Sequence, residues 1–66
     1  MLKNDLKAKR TEKGWTQAEL AERVGVSRKT INTVENNVFI PSTILALRLA
    51  GALEASVEQL FWLEES

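Results

Sequence analysis

Between residues 28 and 36 the chain sets Arg28, Lys29, Thr30, Asn32, Thr33 and Asn36 around two apolar side chains, Ile31 and Val34. Guanidinium, ammonium, amide and hydroxyl groups at this density are suited to hydrogen bonding rather than to covalent chemistry. The sequence has no Cys and no His, so thiolate and imidazole nucleophiles are missing, as are the usual structural zinc ligands. The carboxylates fall mostly at helix-surface positions and no glycine-rich phosphate loop is present. Acid and base options are therefore few, and an enzyme, a metal site or a bound cofactor is not expected. What remains is recognition. Arg28 or Lys29 can donate to guanine O6 and N7, each good bidentate contact being worth about 1–3 kcal/mol of base discrimination, and Thr33 can meet a thymine methyl.

Those side chains act together only if one helix presents them and another holds it. Thr16 and Glu19 have capping-box spacing, and Trp15 and Leu20 flank them as a hydrophobic staple, so a helix is predicted over 17–24. Gly25 then supplies a left-handed residue and Ser27 a fresh N-cap, which starts the next helix at Arg28 and runs it to about Asn36. Ile31 and Val34 face inward, and Val26 staples onto Ile31. Two helices joined by a short glycine turn, the second polar outside, describe a helix-turn-helix. In that motif the first helix holds the second so that its N-terminal turn enters the major groove of DNA.

Around this pair, residues 4–13 favour a first helix, with Gly14 placed to end it. Asn36 and Asn37 can close the third helix, and Ser42 after Pro41 caps a fourth over Thr43–Leu53. That helix carries Ile44, Leu45, Leu47, Leu49, Ala50 and Leu53, apolar on most sides, and is expected to be the most buried. Ser56 with Gln59 repeats the capping box and opens a short fifth helix. No repeat, linker or low-complexity segment interrupts this order, so the expected fold is all-α, a single domain over residues 1–66.

The formal net charge is zero, although DNA-binding footprints are normally basic. The distribution is uneven. All nine basic residues lie in the first 53 positions against five acids, and Glu54, Glu58, Glu64 and Glu65 follow unopposed. From Arg23 to Leu53 the charges are Arg23, Arg28, Lys29 and Arg48 against Glu35 alone. A locally basic face with an acidic tail suits a directed, modest electrostatic footprint. No run approaches the ~20 apolar residues of a membrane span and no secretory leader is evident, so a cytoplasmic setting is expected.

Trp15-Thr16-Gln17-Ala18-Glu19-Leu20-Ala21, Gly25-Val26-Ser27, Thr30-Ile31, Glu35-Asn36 and Pro41-Ser42 together resemble the Xre family of Cro and phage-repressor domains. The match spans nearly the whole chain, and the Phe61-Trp62 ending is similar to short stand-alone repressors of the cytolysin-operon type. The resemblance implies a compact five-helix, lambda-repressor-like fold that binds double-stranded DNA as a homodimer. It places Arg28, Lys29 and Thr33 at base edges with Thr30 and Asn32 beside them. Gln17 falls at a phosphate-contacting position; Thr16, Asn36 and Asn37 are further phosphate candidates. Arg10 and Glu35 match a family ion pair that orients the third helix.

The sequence departs from that pattern after the third helix, where a Gly followed by a basic residue is usual and Asn37-Val38-Phe39-Ile40-Pro41 stands instead. Val38, Ile40 and Ile44 then either form an exposed patch for a protein partner or fold inward on Phe39. Leu53, Val57, Leu60, Phe61, Trp62 and Leu63 are expected to form a dimer interface, with Leu2 and Lys3 pairing as a short terminal β-strand against the tail. The rival reading is an antitoxin-like interaction module with secondary DNA binding.

Overall fold

The computed structural model describes residues 1–65. In chain order the elements are β1 (Leu2–Asn4), α1 (Leu6–Glu12), α2 (Gln17–Val24), α3 (Arg28–Glu35), α4 (Thr43–Leu53), α5 (Val57–Leu60) and β2 (Phe61–Leu63). The fold is mostly helical, with a two-stranded antiparallel sheet joining the chain ends: Leu2 pairs with Leu63, Lys3 with Trp62 and Asn4 with Phe61. The expected terminal pairing is present and one residue longer than Leu2 and Lys3. It also shortens the first helix, which the sequence places from residue 4. Asn4 belongs to β1, and its side-chain oxygen accepts the Leu6 N–H at 3.0 Å, so the helix starts at Leu6.

The helix starts are fixed locally. Thr16 accepts from the Glu19 N–H at 3.1 Å, and the Glu19 carboxylate accepts from the Thr16 N–H at 2.9 Å. Ser56 with Gln59 repeats this reciprocal box at α5, while Ser27 and Ser42 cap α3 and α4 by accepting from the Thr30 and Leu45 N–H groups alone. Trp15 packs against the core before α2, and the Arg23 guanidinium lies 4.1 Å above its ring, a cation–π contact that ties the staple to the end of the same helix.

The capping box has a pH signature. The backbone N–H and hydroxyl of Thr16 hold the Glu19 carboxyl below its ordinary value of 4.5. A carboxyl depressed in the folded state stabilises that state above its ordinary value, and the contribution is lost as pH falls through the depressed one. The N-terminal turn of α2 should therefore loosen first on acidification below 4.5. Protection of the Glu19 amide, its exchange rate taken relative to that of a free amide at the same pH, should fall in that range, and Glu19→Gln should make the protection independent of pH there; an unchanged protection profile in the variant would refute it.

Leu6, Leu20, Ile31, Val34, Leu49 and Leu60 are fully buried and form the centre of the core, each contributing about 1.5–3 kcal/mol. α2 packs against both α3 and α4. α4 contributes more buried residues than any other helix, as expected, but it is not buried on most sides. Leu45, Leu49, Ala50 and Leu53 face the core, but Ile44 and Leu47 are 65% and 59% exposed. No described element covers that side, so an apolar composition does not become all-round burial here.

Candidate nucleic-acid interface

Gly25 ends α2 at φ 76°, and the Val26 N–H then bonds the Ala21 carbonyl at 3.0 Å. The left-handed turn reverses the chain in the four residues from Val24 to Ser27, as a residue with a Cβ does only under strain. It seats α3 across α2 with Ile31 and Val34 inward. A Cβ on Gly25 would stand 3.6 Å from Arg48 Nη1, so α4 brings a further cation beside the turn that precedes α3.

Arg28 and Lys29 are exposed on the first turn of α3, and Asn36 is exposed at its end. Asn32 and Thr33 are half-buried between them. Thr33 donates its hydroxyl to the Thr30 carbonyl at 3.0 Å, and the Thr30 hydroxyl pairs with that of Ser27 at 3.0 Å. At helical spacing Arg28, Lys29, Asn32, Thr33 and Asn36 share one face, and Thr30 stands at its edge.

Behind this face lies a charged brace. The Arg10 guanidinium donates from Nε to Glu35 Oε2 at 2.7 Å, from Nη2 to Glu35 Oε1 at 3.3 Å, and from Nη1 to the Trp15 carbonyl at 2.7 Å. The two side chains are only 9% and 3% exposed. Glu35 Oε1 also accepts from Gln17 Nε2 at 3.0 Å. The amide of Gln17 is thereby oriented, and its oxygen meets Arg28 Nη1 at 3.4 Å and Asn32 Nδ2 at 3.5 Å. A chain of bonds thus runs from α1 through the end of α3 and the start of α2 to Arg28. No buried side-chain nitrogen or oxygen among the described residues lacks a partner, as a rigid polar network requires.

At the first turn of α2, Thr16 caps the helix and Gln17 points into the brace, beside backbone N–H groups that favour a phosphate. Asn36 donates to the Asn32 carbonyl at 2.8 Å, while the Asn37 side-chain oxygen is taken by Asn4 at 2.8 Å. Asn4 was not among the residues singled out from the sequence. Its only local signal, an Asn two positions before a helix start, identifies a cap but not its contact with α3, which lies 30 residues away.

The tail divides differently from expectation. Leu53, Leu60 and Phe61 belong to the monomer core, because α5 and β2 fold back beneath α4 and β1. Leu53 and Leu60 are therefore closed to a second copy, contrary to expectation, while Phe61 is mostly buried and keeps only an edge on a surface groove. Val57 is half-buried, and Trp62 and Leu63 are exposed. Of the loop after α3, Val38 and Ile40 are 76% and 74% exposed. Phe39 is itself exposed and does not draw them inward.

The model of the Helix-turn-helix family matches residues 6–60. The HTH-type transcriptional regulator YgzD of Bacillus subtilis is 41% identical over 64 residues, 97% of each chain. Antitoxin HipB of Escherichia coli is 38% identical over 56 residues, 85% of this chain and 60% of HipB. Among solved structures, SinR of Bacillus subtilis, the master regulator for biofilm formation, in complex with DNA, is similar with a TM-score of 0.74. Identity with it is 33%, over 80% of this chain and 86% of the SinR chain. Capped helices, a left-handed glycine turn and a braced polar face on α3 agree with these matches, and the chain belongs to the Xre-like helix-turn-helix family of transcriptional regulators.

Proposed function

We propose that the protein is a cytoplasmic, sequence-specific DNA-binding repressor that acts as a homodimer on an inverted-repeat operator, with residues 1–66 as one DNA-binding unit. The observation that carries this is the position of Arg28. It is exposed on the first turn of α3 and touches Gln17 behind it, whose amide is in turn oriented by Glu35 and Arg10. A guanidinium placed before binding loses little freedom when it pairs with a guanine edge. Lys29 stands beside it, and Asn32 and Thr33 extend the same face along the groove. Thr30 borders that face, and Thr16, Gln17, Asn36 and Asn37 sit at the helix ends where phosphates would pass.

The dimer surface in this reading comprises Val57, Trp62 and Leu63 together with Ile44 and Leu47 on α4. Between them Leu2, Pro41, Ala46, Leu47, Val57 and Phe61 line an apolar groove of about 350 Å³. The chain carries no charge from Asn36 to Leu47. An isologous contact therefore brings no like charges of this segment together. No described helix is long and apolar enough to cross a membrane, which agrees with a regulator that works at DNA.

Selection from a randomised duplex library tests the reading. It expects an inverted repeat whose half-sites lie about 34–36 Å apart, with binding that weakens steeply as salt rises. Failure to enrich any sequence would overturn it. The second reading, an antitoxin-like module that holds a protein at Val38, Ile40 and Ile44, is favoured by the exposure of those residues and by the similarity to HipB. It expects partner binding that Ile40→Asp abolishes without altering DNA selection.

A further inference from the structure

Gln17 braces the first turn of α3, and besides the Arg10–Glu35 pair a second tie holds its last turn. Asn4, the final residue of β1, reaches across to it with its side-chain amide. Nδ2 donates to the Val34 carbonyl at 3.0 Å, to Asn37 Oδ1 at 2.8 Å and, more weakly, to the Glu35 carbonyl at 3.4 Å. Oδ1 accepts from the Leu6 N–H. One side chain thus joins the terminal sheet, the start of α1 and the end of α3.

The far end of this link is itself specialised. Asn37 has φ 61°, and the Asn37 and Val38 N–H groups bond the Val34 and Thr33 carbonyls at 3.1 and 2.9 Å. That is a Schellman closure, a site where Gly is the usual residue. Asn tolerates the conformation less well than Gly but adds an oxygen, and here the oxygen receives Asn4. The loop that follows has no basic residue before Arg48. A lysine or arginine contact to phosphate is therefore not at hand to steady the end of α3, and the link from the sheet takes that place.

We propose that Asn4, with Asn37 as its partner, is a positioning residue for base reading: it fixes the C-terminal end of α3 against the terminal sheet and so sets the tilt at which Arg28, Lys29 and Thr33 meet the groove. The proposal rests on the DNA-reading function above. Its physical basis is that a recognition group must be held within about 0.5 Å of its productive geometry to discriminate. The Arg10–Glu35 pair fixes one side chain of this eight-residue helix, and the Asn4 bonds to its closing carbonyls add the second point that stops it pivoting about the first.

Two variants separate this role from simple folding. Asn4→Asp keeps an oxygen for the Leu6 N–H but has no N–H for α3, and sets a carboxylate against two carbonyls and the Asn37 oxygen. Asn37→Gly keeps the left-handed turn without strain and removes the acceptor together with a phosphate candidate, so it tests the link through operator binding relative to random-duplex binding and only Asn4→Asp is held to unchanged random-duplex binding. Binding is measured by fluorescence anisotropy on the duplex enriched by selection and on a random duplex, corrected for the folded fraction. Asn4→Asp should weaken operator binding about tenfold, equivalent to ~1.4 kcal/mol, with random-duplex binding within about twofold since phosphate contacts are untouched. Relative to random-duplex binding, Asn37→Gly should weaken it less, and the double variant no more than Asn4→Asp, because both break one link.

Amide exchange supplies the readout independent of DNA. Asn37 and Val38 should exchange faster in Asn4→Asp, while Glu19 and Leu20 in α2 keep their rates. Equal losses on operator and random duplex, or an Asn4→Asp variant that discriminates as well as the wild type, would overturn the proposal. If the wild type enriches no sequence, the regulator reading falls and base reading by α3 falls with it. Exchange then still decides the mechanical link: faster rates at Asn37 and Val38 uphold it, unchanged rates refute it.

Discussion

Arg10→Ala should destabilise the fold by about 3–5 kcal/mol, because it leaves the Glu35 carboxylate buried without its cation. The Glu35 side chain is 3% exposed, and apart from Arg10 its hydrogen-bond partner is Gln17. At ~0.05–0.15 kcal/mol per residue a chain of this length has roughly 3–10 kcal/mol in all, so the variant should be partly unfolded at room temperature. Thermal unfolding followed by circular dichroism should place its midpoint ~12–40 °C below the wild type. A midpoint within a few degrees of the wild type would contradict the assignment of Glu35 to a buried pair. Replacing both charges, Arg10→Met with Glu35→Leu, should restore much of the loss, since apolar packing often matches a buried ion pair in stability. DNA affinity should not recover with it. Gln17 would have lost the carboxylate that orients it, and Arg28 the amide behind it. The pair therefore works chiefly as geometry, and the double variant separates that from stability.

In the proposed homodimer, Leu47→Glu should separate the two copies and lower operator affinity by about 10²–10⁴, the advantage that linking two half-site contacts confers. Leu47 is on the uncovered side of α4, three residues from Ile44 and at the rim of the groove with Val57 and Phe61. In the monomer the substitution touches little, so the unfolding free energy of the isolated chain should move within ±0.5 kcal/mol. In the isologous dimer each copy would bring a carboxylate into the apolar contact. Sedimentation equilibrium across the micromolar range, with operator titrations beside it, measures both effects. A variant that sediments and binds like the wild type would place the dimer surface elsewhere.

What could be read from the sequence was what is decided within a few residues. Thr16 with Glu19, Ser27, Ser42, and Ser56 with Gln59 mark helix starts because each cap closes over three positions, and Gly25 marks the turn because the backbone there is left-handed. The pairing of Arg10 with Glu35 followed from resemblance, and the structure sets them at hydrogen-bond distance. What could not be read depends on contacts between distant parts of the chain. Asn4 looks like the first residue of a helix until Phe61 pairs with it. Leu53, Leu60 and Phe61 look like surplus apolar surface until the tail folds beneath α4. Ile44 and Leu47 look buried by composition, yet among the described residues both stay mostly exposed.

The central claim is that Arg28 reads a base from the first turn of α3. The direct measurement is parallel selection from one randomised duplex library by wild-type protein and by Arg28→Ala, which should fold normally because Arg28 is exposed. Both should enrich the same inverted repeat, with preference relaxed by the variant at one base-pair position in each half-site, equivalent to about 1–3 kcal/mol there. An unchanged preference at every position, or a uniform loss of affinity with none relaxed, would contradict it.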